Sequence, residues 1–351
     1  MKGRQVVLGH LFGLEAAALM QDGHLIDLLV ASDPLTALAP GAICRASTDR
    51  FMKGQGGVFL RLPDGQTGYL RDRKGVSEGK PLLVQVAGVA EDGKAVPLST
   101  RLLFRGRHAL VTPGAPGVNV SRSIRDEDRR DELEAIGRAS LGDRDHGLIL
   151  RSVCLDAEDD DIRAELDDLI ELADRVCAET AGAPELLLDA PTPWEQAWMD
   201  WAEPAPDAVE EGEDSFDRCG VLDAVDALLS SRVPLPGGSD AHIEATRALV
   251  AVDVNTGNDT SLAAGLKANI ALARELPRQL ALRGLGGQIV VDFAPMPKRD
   301  RATLDQVLQG AFRGAGSETT LVGWTAMGLY ELTRKRDRVP LARLASASGE
   351  A

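Results

Sequence analysis

The 351-residue sequence has no long apolar run, only four cysteines and few aromatic residues. Because no stretch approaches 18 consecutive apolar residues, we expect no membrane-spanning helix. The N-terminal segment carries Glu15 and Asp22 and shows no cleavage pattern, so we expect no signal peptide. The cysteines are widely spaced: Cys44, Cys154, Cys177 and Cys219. Since none forms a Cys-x-x-Cys pair, the sequence predicts a reduced, cytoplasmic protein without a thiolate metal site.

The net charge is −15, and the acidity is confined to one window. Residues 156–217 hold 22 acidic and two basic residues, a net charge of −20, which leaves +5 for the rest of the chain. Global charge sets solubility, whereas local charge determines where a phosphate chain lies. A single basic cluster is ordinarily a solvated face, but several in so acidic a chain are mild evidence for an anionic partner. They lie at 71–74, 101–107, 122–130, 298–301 and 334–336.

The first 155 residues predict small, strand-rich regions. Residues 5–32 predict two strands around a turn at 21–23. Residues 41–101 hold short apolar runs separated by Gly, Asp and Pro, which predict a small antiparallel barrel. Residues 102–155 predict strands around a charged helix at about 126–140.

Helical periodicity dominates the remainder. An amphipathic helix is expected at about 160–179. Residues 202–218 are rich in Pro and acidic residues and predict a loop or a disordered insert. From about 247 onward, strands alternate with helices at about 260–283 and 301–313, which is typical of an open α/β sheet covered by helices.

Acidic residues end two apolar strands in this C-terminal region. Asp253 and Asn255 close the run ALVAVDVN, and Asp292 closes the run QIVVD. Residues two apart on a strand project from the same face, and the carboxyl ends of strands in open α/β sheets border the ligand crevice. Two carboxylates and an amide oxygen suit Mg²⁺ or Mn²⁺, which polarises a phosphoryl oxygen and activates water. The alternative is that each Asp caps the turn or helix that follows.

Two aromatic residues, Phe59 and Tyr69, fall on successive predicted strands of the barrel, in a chain with only 4% aromatics. Exposed rings on such a barrel are platforms for unstacked bases, each worth about 1–3 kcal/mol. Lys94 and Arg101 would hold the adjacent phosphates. The alternative places both rings in the barrel core.

A third pattern places Arg151 and Ser152 at the end of a predicted strand, with Gly106 and Leu110 on a neighbouring strand. An arginine fork beside a hydroxyl forms a compact phosphate clamp. The pattern alone is weak evidence, because Arg and Ser follow strands in many unrelated proteins.

Three consecutive C-terminal segments form a more specific pattern: ALVAVDVNTG, KANIALARELPRQLALRGLGGQIVVDF and APMPKRDR. Their order resembles the nuclease core of the ribonuclease E/G family. That core has an acidic strand ending in Asp-x-Asn, an Asn-containing helix ending in Arg-x-Leu-Gly-Gly, and an apolar strand ending in Asp-Phe. Weaker similarity extends toward the N-terminus. There VFLRLPDGQTGYL resembles the family's S1-type barrel, and GRHALVTPGAPGVNVSRSI with HGLILRS resembles its 5′-end sensor.

The resemblance implies an α/β (multidomain α+β) fold. An S1-type OB barrel would be inserted in an RNase H-like subdomain, followed by a 5′-sensor region and a DNase I-like α/β nuclease subdomain. The RNase H-like part is shortened and carries the acidic insert 202–218. The implied bounds are 1–40 and 183–246 for the RNase H-like subdomain, 41–101 for the barrel, 102–182 for the sensor and 247–345 for the nuclease subdomain.

The resemblance also implies roles for individual residues. Asp253 and Asp292 match the two magnesium-binding aspartates, with Mn²⁺ as a substitute ion, and Asn255 matches the asparagine that supports this catalytic site. The RNA-contacting positions of the barrel match Phe59, Tyr69 and Lys94, where Tyr69 replaces a phenylalanine. The 5′-monophosphate sensor matches Arg151, Ser152, Gly106, Leu110 and Arg122, where Ser152 replaces a threonine and Ser123 replaces a second arginine.

Several departures from the family pattern concern assembly and affinity. The zinc-linking Cys-Pro-x-Cys motif is absent before the sequence ends at Ala351. We therefore expect no structural zinc, no zinc-linked dimer or tetramer, and a monomer or weak dimer. The loop at 256–260 is shortened and lacks the family's arginines, and Arg247 stands where the family usually has Glu.

The resemblance implies a Mg²⁺-dependent endoribonuclease that cleaves single-stranded RNA to 5′-phosphate and 3′-hydroxyl ends and favours 5′-monophosphorylated substrates. The alternative is a catalytically weak RNA-binding or ribosome-associated protein on the same scaffold. A metal-dependent DNA nuclease is disfavoured, because an S1-type barrel favours single-stranded RNA. The role of the acidic window and the identity of the RNA stay open.

Overall fold

The structure, a computed structural model, describes residues 3–33, 35–51, 56–72, 74–91, 93–259 and 261–349. The chain forms two compact units. The first joins residues 1–35 to residues 207–351, and the second covers residues 36–206. Arg73 of the basic cluster at 71–74 and Thr260 of the shortened loop lie outside the described residues. No helix in the described part combines the length and hydropathy that a membrane span requires.

The strands are, in chain order, Arg4–Leu11 (β1), Leu14–Gln21 (β2), His24–Val30 (β3), Ile43–Phe51 (β4), Val58–Arg61 (β5), Thr67–Leu70 (β6), Pro81–Val86 (β7), Val96–Ser99 (β8), Phe104–Arg105 (β9), Ala109–Pro113 (β10), Gly117–Val120 (β11), His146–Leu150 (β12), Glu185–Leu188 (β13), Ala208–Glu210 (β14), Arg232–Pro234 (β15), Asp240–Ala245 (β16), Val250–Asn255 (β17), Gly287–Asp292 (β18), Thr319–Trp324 (β19) and Tyr330–Arg334 (β20). The α-helices are Glu127–Leu141 (α1), Asp159–Ala178 (α2), Pro193–Trp201 (α3), Ser215–Arg218 (α4), Val221–Leu229 (α5), Leu262–Leu282 (α6), Arg301–Phe312 (α7) and Leu341–Ser348 (α8). The four helices that the sequence predicts are confirmed as α1, α2, α6 and α7.

The first unit begins with an antiparallel meander of three strands, in a sheet of order β14-β1-β2-β3. The sequence predicted two strands around one turn, and the structure adds a hairpin at Phe12 and Gly13. Both residues have positive φ, 57° and 73°. Phenylalanine rarely adopts this conformation, so turn chemistry does not reveal the hairpin.

The prediction of a loop or disordered insert at 202–218 is wrong for its second half. Residues 208–210 form β14, which pairs in parallel with β1. In α4, the Ser215 hydroxyl donates to the Leu8 carbonyl (2.7 Å), and Phe216 is buried among the side chains of β1–β3. Pairing with a strand some 200 residues away supplies order that the local composition does not predict.

The second sheet of this unit has six strands, in the order β15-β16-β17-β18-β20-β19. Its central pair, β17 and β18, is parallel, while the other described pairings are antiparallel. Side chains of α6 and α7 form one core with Val250, Val252 and Ile289. Since side chains alternate along a strand, the neighbours of these residues lie on the opposite, exposed face of the sheet.

The second unit contains a closed five-stranded barrel consistent with an OB-type fold. Strands β4-β5-β6-β8-β7 are paired in this order, and β4 also pairs with β7, which closes the sheet. In addition, β13 pairs antiparallel with β4. Residues 185–188 therefore extend the barrel sheet, whereas the implied domain bounds grouped them with the N-terminal strands.

A smaller sheet of order β11-β12-β10-β9 occupies the rest of the second unit. Helices α1 and α2 pack against it through Leu133, Ile136, Ile162 and Leu166, all buried with the strand residue Leu148. Leu110 lies on β10 of this sheet, and the other predicted 5′-sensor residues follow its strands: Gly106 after β9, Arg122 after β11, and Arg151 and Ser152 after β12.

Much of the acidic window is paired with arginines of the same unit. Arg45 is buried and pairs with Glu179 (3.0 Å) and with Glu185. Arg129 pairs with Asp159 at 2.7 Å, and this hydrogen bond lowers the pKa of the Asp159 carboxyl. The acidity therefore serves, in part, to neutralise cationic side chains within the fold.

Candidate active site

The two predicted metal-binding aspartates lie side by side on the exposed sheet face of the first unit. In the parallel pairing of β17 with β18, Asp253 is the register partner of Asp292. Val252, Val254 and Val291 point into the helix-covered core, so the alternating aspartates are exposed. The backbone register thus brings together the two aspartates that the ends of the two apolar runs marked.

Asn255 lies on the same face, two residues beyond Asp253. Its Nδ2 donates to Asp253 Oδ2 at 3.0 Å. The side chain of Asp292 makes no hydrogen bond or ion pair within the described residues, so it does not cap the turn that follows β18. The capping alternative is therefore wrong for Asp292.

These residues fit a Mg²⁺ or Mn²⁺ ion. Within the described residues neither carboxylate pairs with a cationic side chain, so two adjacent negative charges lack a compensating cation. No group of three or more His, Cys, Asp or Glu residues in that part of the chain could hold a metal ion. Mg²⁺ is commonly bound by one or two carboxylates and keeps several waters, whereas zinc sites need three or four protein ligands. Two carboxylates beside an amide oxygen are all-oxygen donors, of the kind that suits Mg²⁺ and Mn²⁺.

Helix α6 fixes the segment that follows Asp292. Asn269 of α6 is fully buried, its Nδ2 donates to the Ala294 carbonyl (2.9 Å), and its Oδ1 accepts from the Ala294 amide (2.9 Å). A Cβ at Gly265 would lie 2.4 Å from the Pro295 carbonyl oxygen, so only glycine allows this approach. The sequence marked the Asn-containing helix but did not reveal that Asn269 holds the backbone beside the site.

The same sheet face carries further polar residues that the sequence analysis missed. His242 of β16 is the register partner of Asp253, and Asp240 is that of Asn255. Asp240 accepts a hydrogen bond from Arg232 Nε at 2.8 Å. Cross-strand partners share a face, so these side chains border the aspartate pair. The alternation of polar and apolar residues in DAHIE, residues 240–244, was the sequence pattern that could have predicted them.

In the barrel of the second unit, Phe59 and Tyr69 are register partners on β5 and β6, with ring centroids 5.6 Å apart. Both are half-exposed and neither belongs to the barrel core, so the core alternative is wrong. The guanidinium of Arg50 lies 4.9 Å from the Phe59 ring centroid, a contact that the sequence did not suggest. Lys94 is exposed in the turn before β8 and pairs with Glu91 (2.7 Å).

Arg151, elsewhere in the second unit, is held at the end of β12 by a dense set of acceptors. Its Nη1 donates to the carbonyl oxygens of Gly106 (2.9 Å), Arg107 (3.2 Å) and Met199 (2.8 Å). Its Nη2 donates to Asp200 Oδ1 at 3.2 Å. Arg151 lines a small cleft that is open to solvent.

Beside Arg151, the Gly106 turn lies against a partly buried acid, Glu165. A Cβ at Gly106 would lie 2.2 Å from Glu165 Oε1, so a larger residue there would displace the Glu165 carboxylate. Glu165 Oε1 accepts from the His108 amide (2.7 Å), and Oε2 lies 2.9 Å from His108 Nδ1. Burial acts to raise the pKa of Glu165, but the His108 hydrogen bonds outweigh it and hold this pKa below its ordinary value.

Comparison with known proteins assigns the chain to a family. The model of the Ribonuclease E/G family matches residues 104–210 and 203–337, which is more than half of the chain. The chain belongs to the ribonuclease E/G family.

Named relatives agree with this assignment. Ribonuclease G of Salmonella typhimurium is 28% identical over 303 residues, covering 75% of this chain and 61% of the relative. Ribonuclease E of Synechocystis sp. is 29% identical over 80% of this chain and 47% of the relative. Ribonuclease E of Nostoc sp. is 30% identical over 73% and 43%. The chain thus spans about half the length of these relatives.

For this ribonuclease E/G chain, the structure brings together some of the expected sensor residues and not others. Arg151 and Ser152 line the same cleft, and the Gly106 carbonyl accepts from Arg151. Leu110 and Arg122 are not among the residues that line it. Asp200 and Glu203, which the sequence did not single out, do line it.

Proposed function

We propose that this chain is a divalent-metal-dependent endoribonuclease that cleaves single-stranded RNA and leaves 5′-phosphate and 3′-hydroxyl ends. The observation that carries the proposal is the in-register pair Asp253–Asp292, exposed beside Asn255, in a member of the ribonuclease E/G family. Mg²⁺ is the expected ion and Mn²⁺ a substitute.

Four residues of the chain have separate roles at this site. Asp253 and Asp292 would hold the ion, and Asn255 orients Asp253 by donating to its Oδ2, which leaves Oδ1 for the ion. When bound, the ion supplies positive charge at the scissile phosphate and activates a water for attack. Asn269 keeps the backbone after Asp292 in place through its two bonds to Ala294.

The barrel would bind the RNA strand. Phe59 and Tyr69 form one half-exposed aromatic surface, on which unstacked bases gain stacking energy. Arg50 over Phe59 adds a positive charge there that favours phosphates. Because these contacts are electrostatic in part, affinity for RNA should fall as salt is raised.

The cleft at Arg151 would favour RNA with a 5′-monophosphate. Within the described residues, the Nε–H of Arg151 and the hydroxyl of Ser152 have no hydrogen-bond partner and border the cleft. A guanidinium edge beside a hydroxyl suits a terminal phosphate. Arg151→Ala should erase the preference for monophosphorylated over hydroxyl 5′ ends.

The central test compares Asp253→Asn and Asp292→Asn with the wild type on a 5′-labelled single-stranded RNA, in Mg²⁺, Mn²⁺ and EDTA. Asp226→Asn, an exposed change of equal charge on α5, is the matched control. We expect each site variant to lose about 100-fold or more in cleavage rate, with the control unaffected. Undiminished cleavage in EDTA, or by both site variants, would refute the proposal.

The barrel supports a second candidate, an RNA-binding protein that cuts poorly. Its aromatic pair requires no metal ion to bind RNA. RNA bound with salt-sensitive affinity but left uncut in both Mg²⁺ and Mn²⁺ would favour this candidate. An RNA oligonucleotide and its DNA counterpart, tested side by side, separate either candidate from a DNA nuclease.

A further inference from the structure

Two carboxylates occupy the cleft that contains Arg151. Asp200 accepts from Arg151 (3.2 Å) and also pairs with Arg105, and Glu203 Oε1 accepts from Arg107 at 3.2 Å. Both acids line the cleft together with Arg107 and Arg151. The two guanidinium groups that line the cleft are thus already paired with carboxylates.

The fold holds Asp200 firmly at this place. Helix α3 begins with a capping box between Thr192 and Glu195, and it buries Pro193, Ala197 and Trp201 along one face. Its last turn presents the Met199 carbonyl to Arg151 Nη1 (2.8 Å), which satisfies one of the free carbonyls at a helix C-terminus. Asp200, next in sequence, is therefore anchored beside the same guanidinium.

The charges of the cleft oppose an incoming phosphate monoester. Such a group carries about −1.5 to −2 charges at pH 7, and it would meet Asp200 and Glu203 at ion-pair distance from the arginines it needs. The phosphate can use all the hydrogen-bond donors of Arg151 only if the bond between Asp200 Oδ1 and Arg151 Nη2 is broken. The Asp200 carboxylate therefore competes with an incoming phosphate for the Arg151 guanidinium.

We propose that Asp200 is a specificity-determining residue of this cleft: its carboxylate is hydrogen-bonded to Arg151 Nη2 and competes with a 5′-monophosphate of RNA for the Arg151 guanidinium. The inference rests on the proposed function in that Arg151 is the group that reads the 5′ end. It follows that the wild-type protein discriminates weakly between 5′-monophosphate and 5′-hydroxyl RNA. Removal of the Asp200 charge should sharpen this discrimination.

The test measures binding in EDTA, so that cleavage does not interfere. One single-stranded RNA is prepared with a 5′-monophosphate and with a 5′-hydroxyl, and the ratio of the two Kd values is obtained by fluorescence anisotropy. Asp200→Asn keeps an oxygen acceptor for Arg151 but removes the charge, and Asp168→Asn, exposed on α2, is the matched control. We expect Asp200→Asn to raise the preference for monophosphate about two- to fivefold and Asp168→Asn to leave it unchanged.

Arg151→Ala separates failure of this inference from failure of the proposed sensor. Suppose that Asp200→Asn prefers the 5′-monophosphate no more than the wild type does, and that Arg151→Ala abolishes the wild-type preference. This result overturns the role of Asp200 and leaves the sensor intact. If neither the wild type nor any variant prefers the 5′-monophosphate, both the role of Asp200 and the sensor are overturned. The proposed metal-dependent cleavage is tested separately, with Asp253→Asn and Asp292→Asn.

Glu203→Gln keeps the proposal falsifiable if Asp200→Asn fails to fold, as judged by thermal melting. Glu203 is about two-fifths exposed and pairs with Arg107, so its loss disturbs the fold little. The same direction of change is expected, about two- to fivefold. An unchanged ratio in a folded Glu203→Gln protein would contradict the charge competition.

Discussion

Asn269→Ala is the sharpest structural test of how the fold holds the aspartate pair. Asn269 is 0% exposed and makes two hydrogen bonds of 2.9 Å to the Ala294 backbone, two residues beyond Asp292. The substitution removes both hydrogen-bond partners of the buried Ala294 amide and carbonyl. Each unsatisfied backbone group costs about 1–3 kcal/mol, so the free energy of unfolding should fall by about 2–5 kcal/mol.

Two measurements check this value. Guanidinium chloride unfolding gives the loss of stability, and hydrogen exchange with mass spectrometry reports the Ala294 amide directly, because Asn269 Oδ1 is its acceptor. The matched control is Asn258→Ala, an exposed loop substitution in the same unit. A loss below about 1 kcal/mol, or unchanged exchange in the peptide that contains Ala294, would refute the reasoning.

Two further predictions concern the barrel and the Glu165 contact. Phe59→Ala and Tyr69→Ala should each weaken single-stranded RNA binding in EDTA by about 1–3 kcal/mol, whereas Tyr69→Phe should bind like the wild type. Equal affinities for all four proteins would exclude the rings from the RNA interface. Because His108 holds the pKa of Glu165 below its unfolded value of about 4.3, the ionised acid stabilises the fold above that pH. This stabilisation is lost as the pH falls through the lower folded pKa. The melting temperature of the wild type should therefore exceed that of Glu165→Gln at pH 6 and approach it in strong acid, and a pH-independent difference would contradict this assignment.

The helices and the aspartate pair were predictable because their signals are local. The predicted bounds of α1, α2, α6 and α7 agree with the structure to within two residues, and the ends of two apolar runs marked Asp253 and Asp292. The hairpin at Phe12 was missed because its residue type gives no turn signal. The strand at 208–210 was missed because its order comes from pairing with β1 and not from its own composition.

The sequence by itself determined the family pattern, the alternation that exposes Asp253, Asn255 and Asp292, and the uneven charge. These properties depend on residue type and spacing, which short-range geometry converts into structure. Only the tertiary structure decided that Asn269 binds Ala294, that Phe59 and Tyr69 form one surface, and that Asp200 neutralises Arg151. Such contacts join residues that are distant in sequence, so they form only when strand register and helix packing bring them together.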